Sequence, residues 1–512
     1  MMLNRRNLIK LGGAGLLQGM AIGLTGCKDD KPLPRNLESR LPLPQSFAAA
    51  LPRLQALAPT ASSEAGDRYD LSAIESTSSI LPGLKTPIWG FNGTFPGPLI
   101  EAKRGRAVEI WLTNRLPVPI VNHLHGGNTP PAHDGYPTDF VLPDVSWTAK
   151  HTHDASAQMT KGTRSYQYSN QQRAAMLWYH DHRMDFTGPQ VWRGLFGTYI
   201  LRDNAEETLG LPSGEKEVVL MICDRSFKSD GSFLYPSIQP ELIDQPGVTH
   251  PYMGGVLGDV MLVNGAPWPK LEVANTRYRF RIVNASNARR LKLSVTANNE
   301  QARRIVQIGS DGGLLHRPVV HSDLTIAPAE RFDVIIDFAQ CKVGERAVLR
   351  NLEGHGRTSE IMCFDVTRTE SDPSTIPEEL SSTFEELRPD MAVMTRSFRF
   401  SYGGMEAGWL INGKPFDPNR IDAQPRLDSV ELWHLHSDRS HPLHLHLAQF
   451  QVASHAGTKR SSDVGWKDTI SMNSGETASI LVRFSGHRGR YVFHCHNLEH
   501  EDMAMMANFE VI

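Results

Sequence analysis

The chain has 512 residues, 40% hydrophobic and 21% charged, with a formal net charge of −3. That length exceeds what one core usually holds, so more than one domain is expected. The near-balanced charge gives no electrostatic case for a nucleic-acid partner, and the composition is that of an ordinary soluble protein.

Residues 1–27 read as a targeting segment rather than as structure. Arg5-Arg6-Asn7-Leu8-Ile9-Lys10 resembles a twin-arginine export signal, and the glycine-containing run at 11–24 is too short for a good membrane span. Leu24-Thr25-Gly26-Cys27 resembles a bacterial lipoprotein cleavage box, which makes Cys27 the expected lipidated first residue of the mature chain; conventional cleavage nearby is the alternative. The expected location is the periplasm or cell envelope, with a membrane tether through Cys27. One acyl chain binds only marginally, so stable anchoring needs several. Residues 28–83 are rich in Pro, Ser and Ala and are expected to form a linker that becomes a domain entry strand towards its end.

Beyond the linker, a weak motif recurs three times. Phe91-Asn92-Gly93, Val263-Asn264-Gly265 and Ile411-Asn412-Gly413 each precede a stretch of short strands. Alternating apolar residues such as Val108, Ile110 and Leu112, or Tyr278, Phe280 and Ile282, mark those strands. Short strands, frequent turns and few helical patterns predict an all-β protein of three β-sandwiches, with units at 84–205, 206–370 and 371–512.

Histidine pairs are concentrated in the outer units. Chance predicts about one His-x-His in a chain of 512 residues with 21 His, yet there are six. His123/His125 lies in NHLHGG, His180/His182 in WYHDH, His444/His446 in HPLHLHLAQF and His494/His496 in YVFHCHNLEHEDMAMM. On a strand, i and i+2 share a face, so Cys495 should face away from His494 and His496. Cys495, His500 and Met505 are spaced five and five, and His441 is the natural fourth partner. Cys, two His and a weak thioether are the ligands of a blue-copper electron-transfer centre. The eight paired imidazoles come from both ends of the chain, so they converge only if units one and three abut. His151/His153 and His434/His436 are expected not to be ligands, and His316, His321 and His355 of the middle unit are expected to be surface or hydrogen-bonded residues.

The four motifs, in this order, resemble the multicopper oxidase family, and within it the bacterial spore-coat-type laccase and bilirubin oxidase branch. The likeness extends to HLHGGNTPPAHDGYP, SNQQRAAMLWYHDH, IGSDGGLL, APAERFDVIIDF and GWKDTI, and covers roughly residues 85–512. It implies three cupredoxin-like Greek-key domains and four coppers. By the family pattern, the blue (type 1) copper takes His441, Cys495 and His500, with Met505 axial. The type 2 copper takes His123 and His444. The two type 3 coppers take His125, His180 and His496, and His182, His446 and His494. Glu501 and Asp134 align with acids the family uses for proton delivery; helix-start or salt-bridge duty is the alternative for Glu501. The implied activity is laccase-like: one-electron oxidation of phenolic or aromatic donors coupled to four-electron reduction of O2 to water.

Cuprous-ion oxidation is the main rival, although the approach to the His441 motif carries Asp438 but no Met, and Met391, Met394 and Met405 are sparse enough to be core packing. A non-enzymatic copper carrier is disfavoured because all ten His ligands and Cys495 are retained. Expected partners are a small-molecule electron donor and O2, with no nucleic acid, and the chain is expected to be a monomer. Cys223, Cys341 and Cys363 leave one disulfide plus a free thiol, or three buried thiols, equally open.

Overall fold

The structure, a computed structural model, describes residues 32–143, 157–236, 247–248, 250–297 and 302–512. His151 and His153, Cys27 and the expected export signal lie outside the described residues.

Each of three successive sequence regions supplies a pair of sheets. The first pair combines a five-stranded sheet, built around Gly66–Ser78 and Ala107–Asn114, with a four-stranded sheet ordered Ile100–Lys103, Phe196–Arg202, Ala175–Asp181, Asn122–His125. The second joins seven- and six-stranded sheets, and the third joins five- and four-stranded sheets. Alternation explains the strands: in Ala107–Asn114, Val108, Ile110 and Leu112 are buried and the residues between them are exposed or half-buried.

The repeated Asn-Gly turn has one geometry in all three sandwiches. Asn92, Asn264 and Asn412 take φ of 52°, 51° and 50°, and each following Gly is also left-handed. Asparagine tolerates that region because its side chain bonds locally. Here each carboxamide oxygen accepts from the backbone N–H of an early strand of its own unit: Ser72 at 2.8 Å, Met221 at 2.9 Å and Arg399 at 2.7 Å.

One expectation needs correction. The segment at 28–83, expected as a linker that becomes an entry strand towards its end, has that strand at Gly66–Ser78, paired with Thr86–Phe91 and Ala107–Asn114, but it joins the fold earlier than expected, since Arg35–Asn36 already pairs with Val256–Leu257. Proline and serine density is a weak signal, and the alternating Tyr69, Leu71 and Ala73, all buried, outweigh it. In Arg277–Asn284 the face opposite Tyr278, Phe280 and Ile282 is buried too. Arg279 and Arg281, 3% and 1% exposed, meet Glu206, Glu217 and Asp333 there, so that face carries a buried charged cluster.

The outer sandwiches are joined directly. Tyr136 donates to Asn508 Oδ1 at 2.7 Å, Tyr491 donates to the Thr129 carbonyl at 2.9 Å, and Asp502 accepts from the Thr187 and Gly188 amides at 2.7 and 2.9 Å. The middle sandwich closes against both. Gly313, at φ +95°, approaches so closely that a Cβ would overlap the Ala174 carbonyl oxygen, while the Ser310 hydroxyl donates to the Trp466 carbonyl at 2.8 Å.

Candidate copper centres

The ligand motifs lie on two four-stranded sheets whose strand ends meet. Asn122–His125 pairs with Ala175–Asp181 so that His123 lies opposite His180. His441–Leu445 pairs with Gly489–Cys495 so that His444 lies opposite His494 and Leu443 opposite Cys495. The period of two then separates the chemistry. Cys495 groups with His441 and His500, whereas His494 groups with His182 and His446, and His496 with His125 and His180. His123 closes on His125 and His444.

In the Cys495 group, Sγ lies 3.4 Å from His441 Nδ1 and 3.5 Å from His500 Nδ1, and the two nitrogens are 3.1 Å apart. A point about 2 Å from all three atoms exists between them, the distance at which nitrogen and sulfur ligands hold a transition metal. Burial pushes the Cys495 thiol well up, so it needs a bound cation to ionise. Trp409 stacks on the His500 ring at 3.8 Å and donates its indole N–H to the Met253 carbonyl at 2.8 Å. Met505 is fully buried in the apolar cluster that contains Cys495; Met503 is only partly buried beside it, and Met506 belongs to a separate cluster with Tyr136 and Phe416.

The eight paired imidazoles form one buried cluster, none more than 1% exposed. In three of them the second nitrogen is occupied by an oxygen acceptor: His123 Nδ1 by the Asp134 carbonyl at 2.6 Å, His180 Nδ1 by the Asp181 carbonyl at 2.8 Å, His444 Nδ1 by the Asp468 carbonyl at 3.0 Å. The inward atoms have no protein partner: Nε2 of His123, His180 and His444, and Nδ1 of His125. His494 Nε2 faces His182 Nε2 at 3.2 Å and His446 Nε2 at 3.3 Å. Burial pushes His123, His125, His180, His446 and His496 down towards the neutral, metal-ligating form, and takes His182 to about 4 and His494 to about 3. Unpartnered, converging lone pairs in a dry site fit metal cations and little else.

Two buried carboxyls touch the cluster. Glu501 places Oε1 3.3 Å from His182 Nδ1 and Oε2 3.2 Å from His494 Nδ1, and accepts from the Thr187 hydroxyl at 2.6 Å. Asp134 Oδ2 accepts from His446 Nδ1 at 2.7 Å. Burial raises both carboxyls above their ordinary range. A third carboxyl was not singled out in the sequence. Asp468 Oδ1 accepts from His125 Nε2 at 3.1 Å, and both its oxygens are held by Arg331, at 2.7 and 2.5 Å. Burial alone would raise it, but the Arg331 charge holds it well below the carboxylate range. Its only sequence signal is the motif GWKDTI.

The other histidines stay apart. His434 bonds Ser479 at 2.9 Å, His436 is exposed, His316 is exposed beside the Ser381 carbonyl, His321 bonds Gln307 at 2.9 Å, and His355 caps a short helical turn. The four described cysteines are all buried and unpaired. Met394 and Met405 are 49% and 63% exposed, which corrects the expectation that they pack in the core.

Family models described as multicopper oxidase match residues 73–206 and 387–512. The chain is 36% identical to a laccase of Bacillus subtilis, covering 91% of this chain and 98% of that one. It is 31% identical to a bilirubin oxidase of Albifimbria verrucaria, over 86% and 76% of the two chains. Among solved structures, a laccase from Pediococcus acidilactici superposes with a TM-score of 0.79 at 29% identity, covering 93% of this chain and 96% of that one.

Proposed function

The chain belongs to the multicopper oxidase family and is a copper-dependent oxidoreductase that uses oxygen, and on that premise we propose which residues hold the metal and what they do. His441, Cys495 and His500, with Met505 packed in the same cluster, would hold the blue copper. His123 and His444 hold the type 2 copper. His125, His180 and His496 hold one type 3 copper, and His182, His446 and His494 the other. The observation that carries this reading is the convergence of unpartnered buried imidazole nitrogens from both outer sandwiches.

Bound copper supplies one-electron oxidation of the donor at the blue site and four-electron reduction of dioxygen to two waters at the cluster. The protein keeps the two sites dry and apart, and joins them covalently: Cys495 shares a peptide bond with His494 and another with His496. Four protons must reach the oxygen. Glu501 and Asp134 hold protons beside the cluster, because burial raises both carboxyls and each contacts a ligand ring through Nδ1. Each acts through an imidazole, so its role is to position the ring and store a proton.

The donors are phenols or aromatic amines, supported by the laccase names of the relatives. The second reading is cuprous-ion oxidation. One observation favours it: Asp438 lies 3.5 Å from His441 Nε2 at the edge of the blue site. The reading also includes export by the twin-arginine route, a lipid tether through Cys27 in the cell envelope, and a monomeric state, supported by the leader motif and by a cluster built within one chain. Oxygen uptake by copper-loaded, leader-free protein tests the donor class, with a substituted phenol and Cu(I) in parallel. Fast uptake with the phenol and slow uptake with Cu(I) is expected; the reverse makes the protein a cuprous oxidase. Detergent partition of wild type against Cys27→Ala tests the tether.

A further inference from the structure

The middle sandwich supplies none of the proposed ligands, yet it reaches the cluster. Arg331, on the strand Arg331–Asp337, is 1% exposed. Its Nε donates to the Met176 carbonyl of the first sandwich at 3.1 Å. Its two Nη atoms grip the Asp468 carboxylate of the third at 2.7 and 2.5 Å. Asp311, also in the middle sandwich, accepts from the Arg331 backbone N–H at 2.7 Å and from the Asp468 and Thr469 amides at 3.2 Å each. One arginine therefore spans all three sandwiches at a single buried point.

That point decides a detail of the cluster. His123, His180, His444, His446 and His494 each direct Nδ1 to an oxygen. His125 does the reverse: Nε2 faces Asp468 and Nδ1 is the unpartnered atom. A carboxylate is an acceptor only, so the His125 proton sits on Nε2 and its lone pair on Nδ1. The His125 ring also stacks on His444 at 3.6 Å, and His444 Nδ1 meets the Asp468 carbonyl and the Thr469 hydroxyl. Asp468 thus orients one ring from each outer sandwich.

We infer that Arg331 of the middle sandwich is a positioning residue, which by clamping Asp468 sets the tautomer of His125 and the register of the His125/His444 pair. The inference rests on the ligand assignment proposed above. Without the arginine, the carboxylate has no fixed orientation, and His125 can turn its other nitrogen inward. Partners of this kind typically change metal affinity by roughly 10- to 100-fold.

The test uses full-length mature protein loaded with copper and reads three signals: copper per chain, the thiolate–copper blue band, and the near-ultraviolet absorbance of the paired coppers. Wild type must show all three, which tests the ligand assignment by itself; absence of the paired-copper signal there overturns that assignment. In Asp468→Asn and Arg331→Gln the blue band is expected at wild-type intensity, showing a folded third sandwich, while the paired-copper absorbance falls at least twofold. Arg331→Lys, which keeps the charge, is expected to recover part of that loss. Unchanged paired-copper absorbance in both neutral variants overturns the inference. So does loss of the blue band together with the cluster in every variant, because that marks a general folding role.

Discussion

Asp134 Oδ2 accepts a hydrogen bond from His446 Nδ1 at 2.7 Å, across 312 positions of sequence. The same residue's carbonyl oxygen accepts from His123 Nδ1 at 2.6 Å. A single acidic residue therefore aims one ring from each outer sandwich, and does so with the carboxyl raised by burial.

Asp134→Asn keeps the size and removes the acid. Reoxidation of the reduced protein by oxygen is expected to slow by roughly 10- to 100-fold, the usual range for losing a partner that orients a metal ligand. Reduction of the blue site by a phenol should keep its rate. Stopped-flow measurement of the two half-reactions separates them; equal slowing of both would count against this role.

Met505→Leu is expected to move the blue band and the reduction potential, since the axial ligand tunes both. Met503→Leu and Met506→Leu should leave them in place, because Met503 is only partly buried and Met506 packs in a separate cluster. Redox titration of the three variants decides which thioether lies on the axis.

Glu217 is held at about 2, where Arg281, Arg279 and Arg202 outweigh the burial that would raise it. Its folded value lies below its unfolded one, near 4.5. It therefore contributes stability above about pH 4.5, and that contribution is lost as the pH falls towards 2. Glu217→Gln should destabilise the protein at pH 7 by on the order of 1–3 kcal/mol and flatten the decline between pH 5 and 2. Denaturant melts of both proteins across that window check it; parallel pH profiles would rule it out.

Removing the hydroxyl in Tyr491→Phe deletes the bond to the Thr129 carbonyl that ties the first sandwich to the third. The loss should be about 1 kcal/mol, or slightly more because the carbonyl is left buried. Chelating the copper should lower the melting temperature further in the same protein, since ligands bound only by the folded state stabilise it by mass action. Calorimetry with and without copper measures both effects.

The sequence alone determined the ligand types, their grouping along strands and the three-fold plan. His494 and His496 on one face and Cys495 on the other follow from a period of two, and Asn92, Asn264 and Asn412 mark the same turn in each unit. These are local properties, written within a few residues of one another. It could not weigh the buried charge of Arg279 and Arg281, because Glu206, Glu217 and Asp333 come from distant strands. It did not choose between Met503, Met505 and Met506 except through spacing. It also gave Arg331 no role beyond its place in APAERFDVIIDF, and left open the nitrogen that His125 turns inward. Only the tertiary structure decided that, because a ring's proton is set by the acceptor opposite it, and Asp468 lies 343 residues away.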